Sequence, residues 1–292
     1  MLRHSVPAPD AASPRDGDTR PMIHPQQPMP PPPRAPAALA PTGLRERLRA
    51  AGIHLLLSSA VAAVVLALVF LAWYPAPLHT LVGVGAILLI MVGVDVVLGP
   101  LFTLLVFDRR KRNLRWDLAT IAALQVVALL YGLYTVHQGR PAFVVLVKDR
   151  FEVVAPAELA PAERAAARSN PHAVADPLRP RWVAARMPES DQERSAILFD
   201  ALSQGRDVQH HPRLYVAYDT QVGTALERSL PIARLRDLNP LRKAEVDRVV
   251  AGTGRTEDAL RFLPLRGPST DGAVLIGHPD GRVLAVTTLT PW

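Results

Sequence analysis

Asp95 is the only charged residue in a 30-residue apolar run, Leu78–Phe107, and Gly99-Pro100 follow it about one helical turn later. A carboxylate at the centre of a membrane helix costs about 2.5–3.5 kcal/mol, so it turns toward protein or water. Counting back from Phe107 at about 1.5 Å per residue puts Asp95 about 18 Å into the run. Gln125, in a later apolar run, lies about 14 Å in from Trp116 by the same rule. The two polar side chains share a depth and form a candidate clasp between neighbouring helices. Pro100 has no N–H, so it removes a helix hydrogen bond and bends the run. That leaves main-chain carbonyls near Val96 open to a neighbour.

Other chemistry is sparse. The chain has no cysteine, which excludes disulfides, zinc-thiolate sites and a cysteine nucleophile. His210-His211 are adjacent, point different ways in any regular structure and have no ligand partner at helical spacing. Ser58 and Ser59 lie near His54 in an apolar run, where serine commonly bonds its own backbone. No phosphate loop, glycine-rich dinucleotide fingerprint, HExxH or GxSxG is present. The residues thus give no catalytic, cofactor-binding or metal site, and the expectation is a protein that is not an enzyme. Tyr215 and Tyr218 are candidate contact residues, because tyrosine suits interfaces; core or half-buried strand positions are the other, favoured reading.

The elements that must position these residues divide the chain in three. Residues 1–42 carry twelve prolines, Pro30–Pro33 among them, and read as a disordered proline-rich tail. Residues 43–137 form a membrane region with spans at about 53–74, 80–107 and 116–136. The first run exits at Trp73-Tyr74, an interfacial pair, and is too long for a signal peptide, so it reads as a retained helix. The second is long for a bilayer: 30 residues reach about 45 Å against a core of about 30 Å. Either it is tilted and kinked at Pro100, or its first turn lies outside the membrane near Gly83.

Charge sets the orientation. Residues 1–50 hold seven arginines against four acids, and residues 108–117 five basic residues against two acids. From Leu118 onward 21 basic residues face 19 acids, so the net charge of +7 is concentrated beside the spans. That is a topology signal and not a nucleic-acid footprint. Arg45, Arg47, Arg49 and the Arg109–Arg115 cluster are expected in the cytoplasm. An odd number of spans then puts residues 138–292 outside it.

That last part reads as one α+β domain. Pro141–Val147 and Phe151–Val154 can pair, and Pro161–Arg168 has helical composition. Ser190–Glu193 is a capping box opening a helix with apolar Ile197, Leu198, Ala201 and Leu202, closed by Gly205. A second helix is expected over Leu241–Val250. Two alternating runs around Pro279-Asp280-Gly281 predict a terminal hairpin. The fold class is a three-helix α-helical transmembrane bundle followed by a C-terminal α+β periplasmic domain.

The stretches VGVDVVLGPLFTLLVF (92–107), LRWDLATIAALQVVALLYGLYT (114–135), GRPAFVVLVKDRFEVV (139–154) and GRDVQHHPRLYVAYD (205–219), with the terminal hairpin, resemble the type IV pilin accessory proteins (TfpX/TfpZ type) of Gram-negative bacteria. The resemblance covers residues 44–292. It implies an inner-membrane factor, multi-pass, that helps assemble or stabilise particular pilins. Its partners would be a type IV pilin, major or minor, other pilus-assembly proteins and the lipid bilayer, without cofactor, metal or nucleic acid. Asp95, Gln125, Gly99 and Pro100 would then be a polar clasp or a contact for the pilin's membrane helix, and Tyr215 and Tyr218 periplasmic contacts. A pilin-modifying membrane enzyme and a membrane-anchored sensor are the alternative classes.

Overall fold

The computed structural model describes residues 43–292; the expected disorder of residues 1–42 lies outside the described residues. Three helices are long and apolar enough to cross a membrane. The first is α1 (Leu44–Leu68), continued by a π turn to Trp73, and the basic segment from Arg45 to Arg49 is its opening turns. A short helix α2 (Leu78–Val82) follows, then α3 (Gly85–Gly93), a π turn (Val94–Leu98) and α4 (Gly99–Val106). The segment Gly85–Val106 is one span of 22 residues, about 33 Å, which fits a bilayer. The last span is α5 (Leu114–Gln138).

Gly83 resolves the excess length of the second run. It adopts φ +77°, a conformation that costs glycine nothing, and splits α2 from α3. The split lets α2 leave the bundle axis. Its Leu78 and Leu81, 4% and 0% exposed, are buried in the core of the C-terminal domain. Ser269 and Thr270 donate their N–H groups to the Leu81 carbonyl at 2.9 and 3.2 Å. The connection between the first two spans is therefore structural core and not a free loop.

Among the described residues the C-terminal domain is built on one eight-stranded mixed sheet: β1 (Phe143–Val147), β2 (Arg150–Val154), β3 (Arg181–Ala185), β4 (Tyr215–Ala217), β5 (Leu230–Pro231), β6 (Leu260–Arg266), β7 (Gly272–Gly277) and β8 (Val283–Thr287). Its order is β4-β3-β1-β2-β6-β7-β8, with β5 pairing β6. β1/β2 and β7/β8 are the two antiparallel pairs expected from the sequence, while β1/β3 and β2/β6 are parallel. Helices α6 (Pro161–Ala166), α7 (Asp191–Gln204), α8 (Val222–Arg228), α9 (Ile232–Leu238) and α10 (Lys243–Gly252) fill the connections. β1 is apolar at every position because both of its faces are covered. Val144 and Leu146 pack with α2 and α8, and Phe143, Val145 and Val147 pack on the side of α7. Farther along, Leu260, Phe262 and Leu275 pack with α9 and α10.

The junction is fixed at two further points. The Tyr74 hydroxyl donates to the Val136 carbonyl at 2.7 Å, joining the exits of α1 and α5. Buried Arg140 donates to the His137 carbonyl at 2.9 Å and to the Asp176 carbonyl at 3.2 Å, tying the exit of α5 to the domain.

α7 departs from the sequence reading. Ser190 caps it, accepting the Glu193 N–H at 3.1 Å, and Gly205 closes it at φ +70°. The Glu193 carboxylate faces Arg213 at 3.4 Å, so only the serine half of the capping box is seen. Of the expected apolar face Ile197 is buried, whereas Leu198 and Leu202 are exposed, because one residue of that strip meets the sheet.

Replacing Leu81 by alanine is expected to destabilise the C-terminal domain by about 2–5 kcal/mol, although the residue belongs to the membrane hairpin. Thermal unfolding of the full chain in detergent measures this. Leu89→Ala, at an exposed position of α3, serves as the control with little effect.

Candidate functional site

The site grows from Pro100. In the π turn before it, the Gly99 N–H reaches back to the Val94 carbonyl. The Asp95 carbonyl thereby loses its usual donor, and the next residue, Pro100, has no N–H to offer. Gln125 on α5 supplies the bond: its Nε2 donates to the Asp95 main-chain oxygen at 3.1 Å. The π turn thus frees the Asp95 carbonyl, one residue earlier than a plain proline kink predicts. Gly99 makes the approach possible, since a Cβ there would overlap the Gln125 amide. Asp95, Gly99, Pro100 and Gln125 are brought together, and Gln125 bonds both the main chain of Asp95 and its carboxyl.

The Asp95 side chain is 8% exposed, and its Oδ1 is buried with no hydrogen-bond partner among the described residues. It lies at the floor of two clefts. One, of about 280 Å³, separates α3 from α5 and is lined by Ile90, Met91, Ala128 and Gly132. The other, of about 220 Å³, separates α1 from α5 and is lined by His54, Ser58, Val61, Gln125 and Val126. α1 packs along α4, and α5 packs on α4 and α3; α1 and α5 meet at their exit ends through Tyr74 and Val136 and are separated at mid-span by this cleft. His54 Nδ1 is 2.6 Å from Thr103 Oγ1, a polar contact between α1 and α4, which directs that ring nitrogen to Thr103 and away from Ser58.

The two tyrosines are not surface contacts, which corrects the contact reading and agrees with the core one. Tyr215 and Tyr218 are 2% and 8% exposed. Their hydroxyls donate to the Gln209 carbonyl at 2.5 Å and to the Gly281 carbonyl at 2.7 Å. Burial pushes both phenols upward, Tyr218 to about 12. Both rings pack against core aromatics, Phe143 and Phe151, so they hold the sheet. His211 is buried, with Nδ1 3.1 Å from Glu163 and Nε2 3.7 Å from Asp200, and Arg213 pairs with Glu163 at 2.9 Å. The two histidines thus differ: His211 sits among carboxylates of α6 and α7, while burial lowers the basicity of His210.

One polar site was not singled out in the sequence. A pocket of about 290 Å³ at the β1–β2 turn is lined by Lys148, Asp149, Arg150, Glu152, Asp207 and Arg266. Burial raises the Glu152 carboxyl to about 7, against the opposing pull of Arg266 and Arg150. The available signal was the alternation of Arg150 and Glu152 with Phe151 and Val153 in β2, which puts both polar side chains on one side of the strand.

The fold and site define a polytopic membrane protein whose hairpin helix is built into a C-terminal α/β domain. The family profile described as fimbrial assembly protein FimB matches residues 42–83, which contain α1 and α2. Among similar proteins of Dichelobacter nodosus, the fimbrial assembly protein of serogroup I is 29% identical over 221 residues, covering 73% of this chain and 84% of the relative. That of serogroup E1 is 28% identical over the same length and shares. That of serogroups C1 and C2 is 34% identical over 110 residues, covering 37% of this chain and 84% of the relative. No solved structure matches the chain. The chain belongs to the fimbrial assembly protein family.

Glu152 sets a pH dependence. Its folded pKa stands above the ordinary value of 4.5, so the folded state holds a proton the unfolded state has released between about 4.5 and 7. Stability therefore falls as pH rises through that window. Glu152→Gln is expected to match the parent at pH 4 and exceed it at pH 8 by up to about 3 kcal/mol, read from unfolding of the full chain at both pH values.

Proposed function

We propose that this chain is a non-enzymatic accessory factor of type IV pilus assembly that binds or stabilises pilin subunits in the inner membrane. The observation that carries the reading is the burial of Leu78 and Leu81 of the membrane hairpin in the core of the C-terminal domain. A pilin presents a membrane helix and a soluble head. A chaperone that holds both at once needs its own membrane and soluble parts in fixed relation, and the buried hairpin supplies that. The relatives' names support a role in fimbrial assembly.

In this reading the N-terminus is cytoplasmic and the C-terminal domain periplasmic. The charge asymmetry supports that orientation, since Arg109 pairs with Glu46 at 3.4 Å and so the two basic segments share one end of the bundle.

The test joins topology to client capture. A periplasm-specific reporter fused after Trp292 is expected to be active, and the tagged full chain to enrich pilin from detergent-solubilised membranes. Deleting residues 141–292 is expected to abolish piliation. A reporter active only in the cytosol, or normal pilin levels and piliation in cells lacking the chain, would contradict the reading.

A further inference from the structure

The geometry points to the α1–α5 cleft as the dock for a pilin's membrane helix, with Asp95 accepting a hydrogen bond from a donor carried by that helix. This rests on the reading that the chain binds pilin, and it adds the surface and the recognition chemistry. Three observations converge on it.

First, Asp95 Oδ1 is buried and without a partner among the described residues, at the floor of the cleft. Second, the Gln125 amide is engaged by Asp95, through its main-chain oxygen at 3.1 Å and through its carboxyl, which leaves the amide oxygen as a further acceptor beside the unpartnered Oδ1. The floor therefore offers acceptors, and its complement is a donor. Third, the cleft opens sideways at mid-span between helices that meet at their exit ends, and α5 is the least covered of the three spans.

These features select the occupant. An opening at mid-span faces hydrocarbon, so what enters must be apolar along its length and keep its own backbone bonded, which in lipid means a helix. Lipid acyl chains have no donor and would leave Oδ1 unsatisfied, a costly state in a medium without water. An apolar helix with one donor at the depth of Asp95 satisfies both conditions. Val61 and Val126, on opposite walls, are positioned to contact it, and Ser58 lies beside them. The cleft between α3 and α5 is a poorer dock, because Met91 there packs closely on Gly132 and its walls are almost wholly apolar.

Photo-crosslinking from the full chain in piliated cells tests this. A crosslinking residue at Val61 or Val126 is expected to give a pilin adduct at least tenfold above one at Leu89, which lines neither cleft. Asp95→Leu is expected to lose that adduct at equal protein level, and Asp95→Asn, which keeps an acceptor oxygen, to retain most of it. If Asp95→Leu does not accumulate, the positional pattern in the unmutated chain and the Asp95→Asn result decide. An adduct with a second copy of this chain at both positions, or undiminished pilin adducts in Asp95→Leu, overturns the assignment. Pilin adducts confined to positions in residues 143–292 overturn the dock and leave the pilin-binding reading standing. Absence of pilin adducts from every position overturns both.

Discussion

Two leucines of a membrane hairpin lie in the core of the C-terminal domain, and the rest of the structure depends on that burial. Leu78 and Leu81 pack against Val144, Leu146 and Phe151, while Leu81 also accepts two main-chain hydrogen bonds from the β6–β7 loop. Fully burying a leucine is worth about 1.5–3 kcal/mol, so this contact is comparable to a good part of a domain's net stability. Because α5 runs directly into β1, the domain is held both by its own entry and by the hairpin between the first two spans. A chain joined only at α5 would carry a tethered domain. Joined at two places, and braced by Tyr74 and Arg140, it is one body.

Within the bundle a single missing N–H orders the site. Pro100 and the π turn before it free the Asp95 carbonyl, Gln125 is recruited to that oxygen, and Gly99 leaves room for the amide to arrive. The consequence is that Gln125, the donor nearest Asp95, is shared between its main chain and its carboxyl. The carboxylate is left with an unsatisfied oxygen where two clefts meet. In lipid such a group is costly, and costly polar groups in membranes are usually functional.

Much of this was legible in the residues. The three spans, the β1–β2 and β7–β8 pairs, the Ser190 cap and the Gly205 stop follow from hydropathy, alternation and capping chemistry. The shared depth of Asp95 and Gln125 followed from counting rises along two helices. The identity of the bonded atom did not, because a π turn shifts which carbonyl is orphaned and local sequence does not announce it. The fate of α2 was hidden for a different reason. Leu78 and Leu81 look the same whether they face lipid or a protein core, and only Gly83 hinted at a break. Tyr215 and Tyr218 stayed open between core and contact because tyrosine serves both equally, and the tertiary fold decides for the core. Glu152 escaped notice since its neighbours Arg266 and Asp207 come from distant stretches of chain.

The rigidity of the junction is the claim on which the functional account turns. The chain contains no cysteine, so spin labels can be placed at Val127 in α5 and Thr220 in the C-terminal domain without background. Pulsed electron resonance on the full chain in lipid is predicted to give one narrow distance distribution, which broadens when Leu81→Asp puts a charge into the shared core. A broad distribution in the parent chain, unchanged by Leu81→Asp, would contradict it.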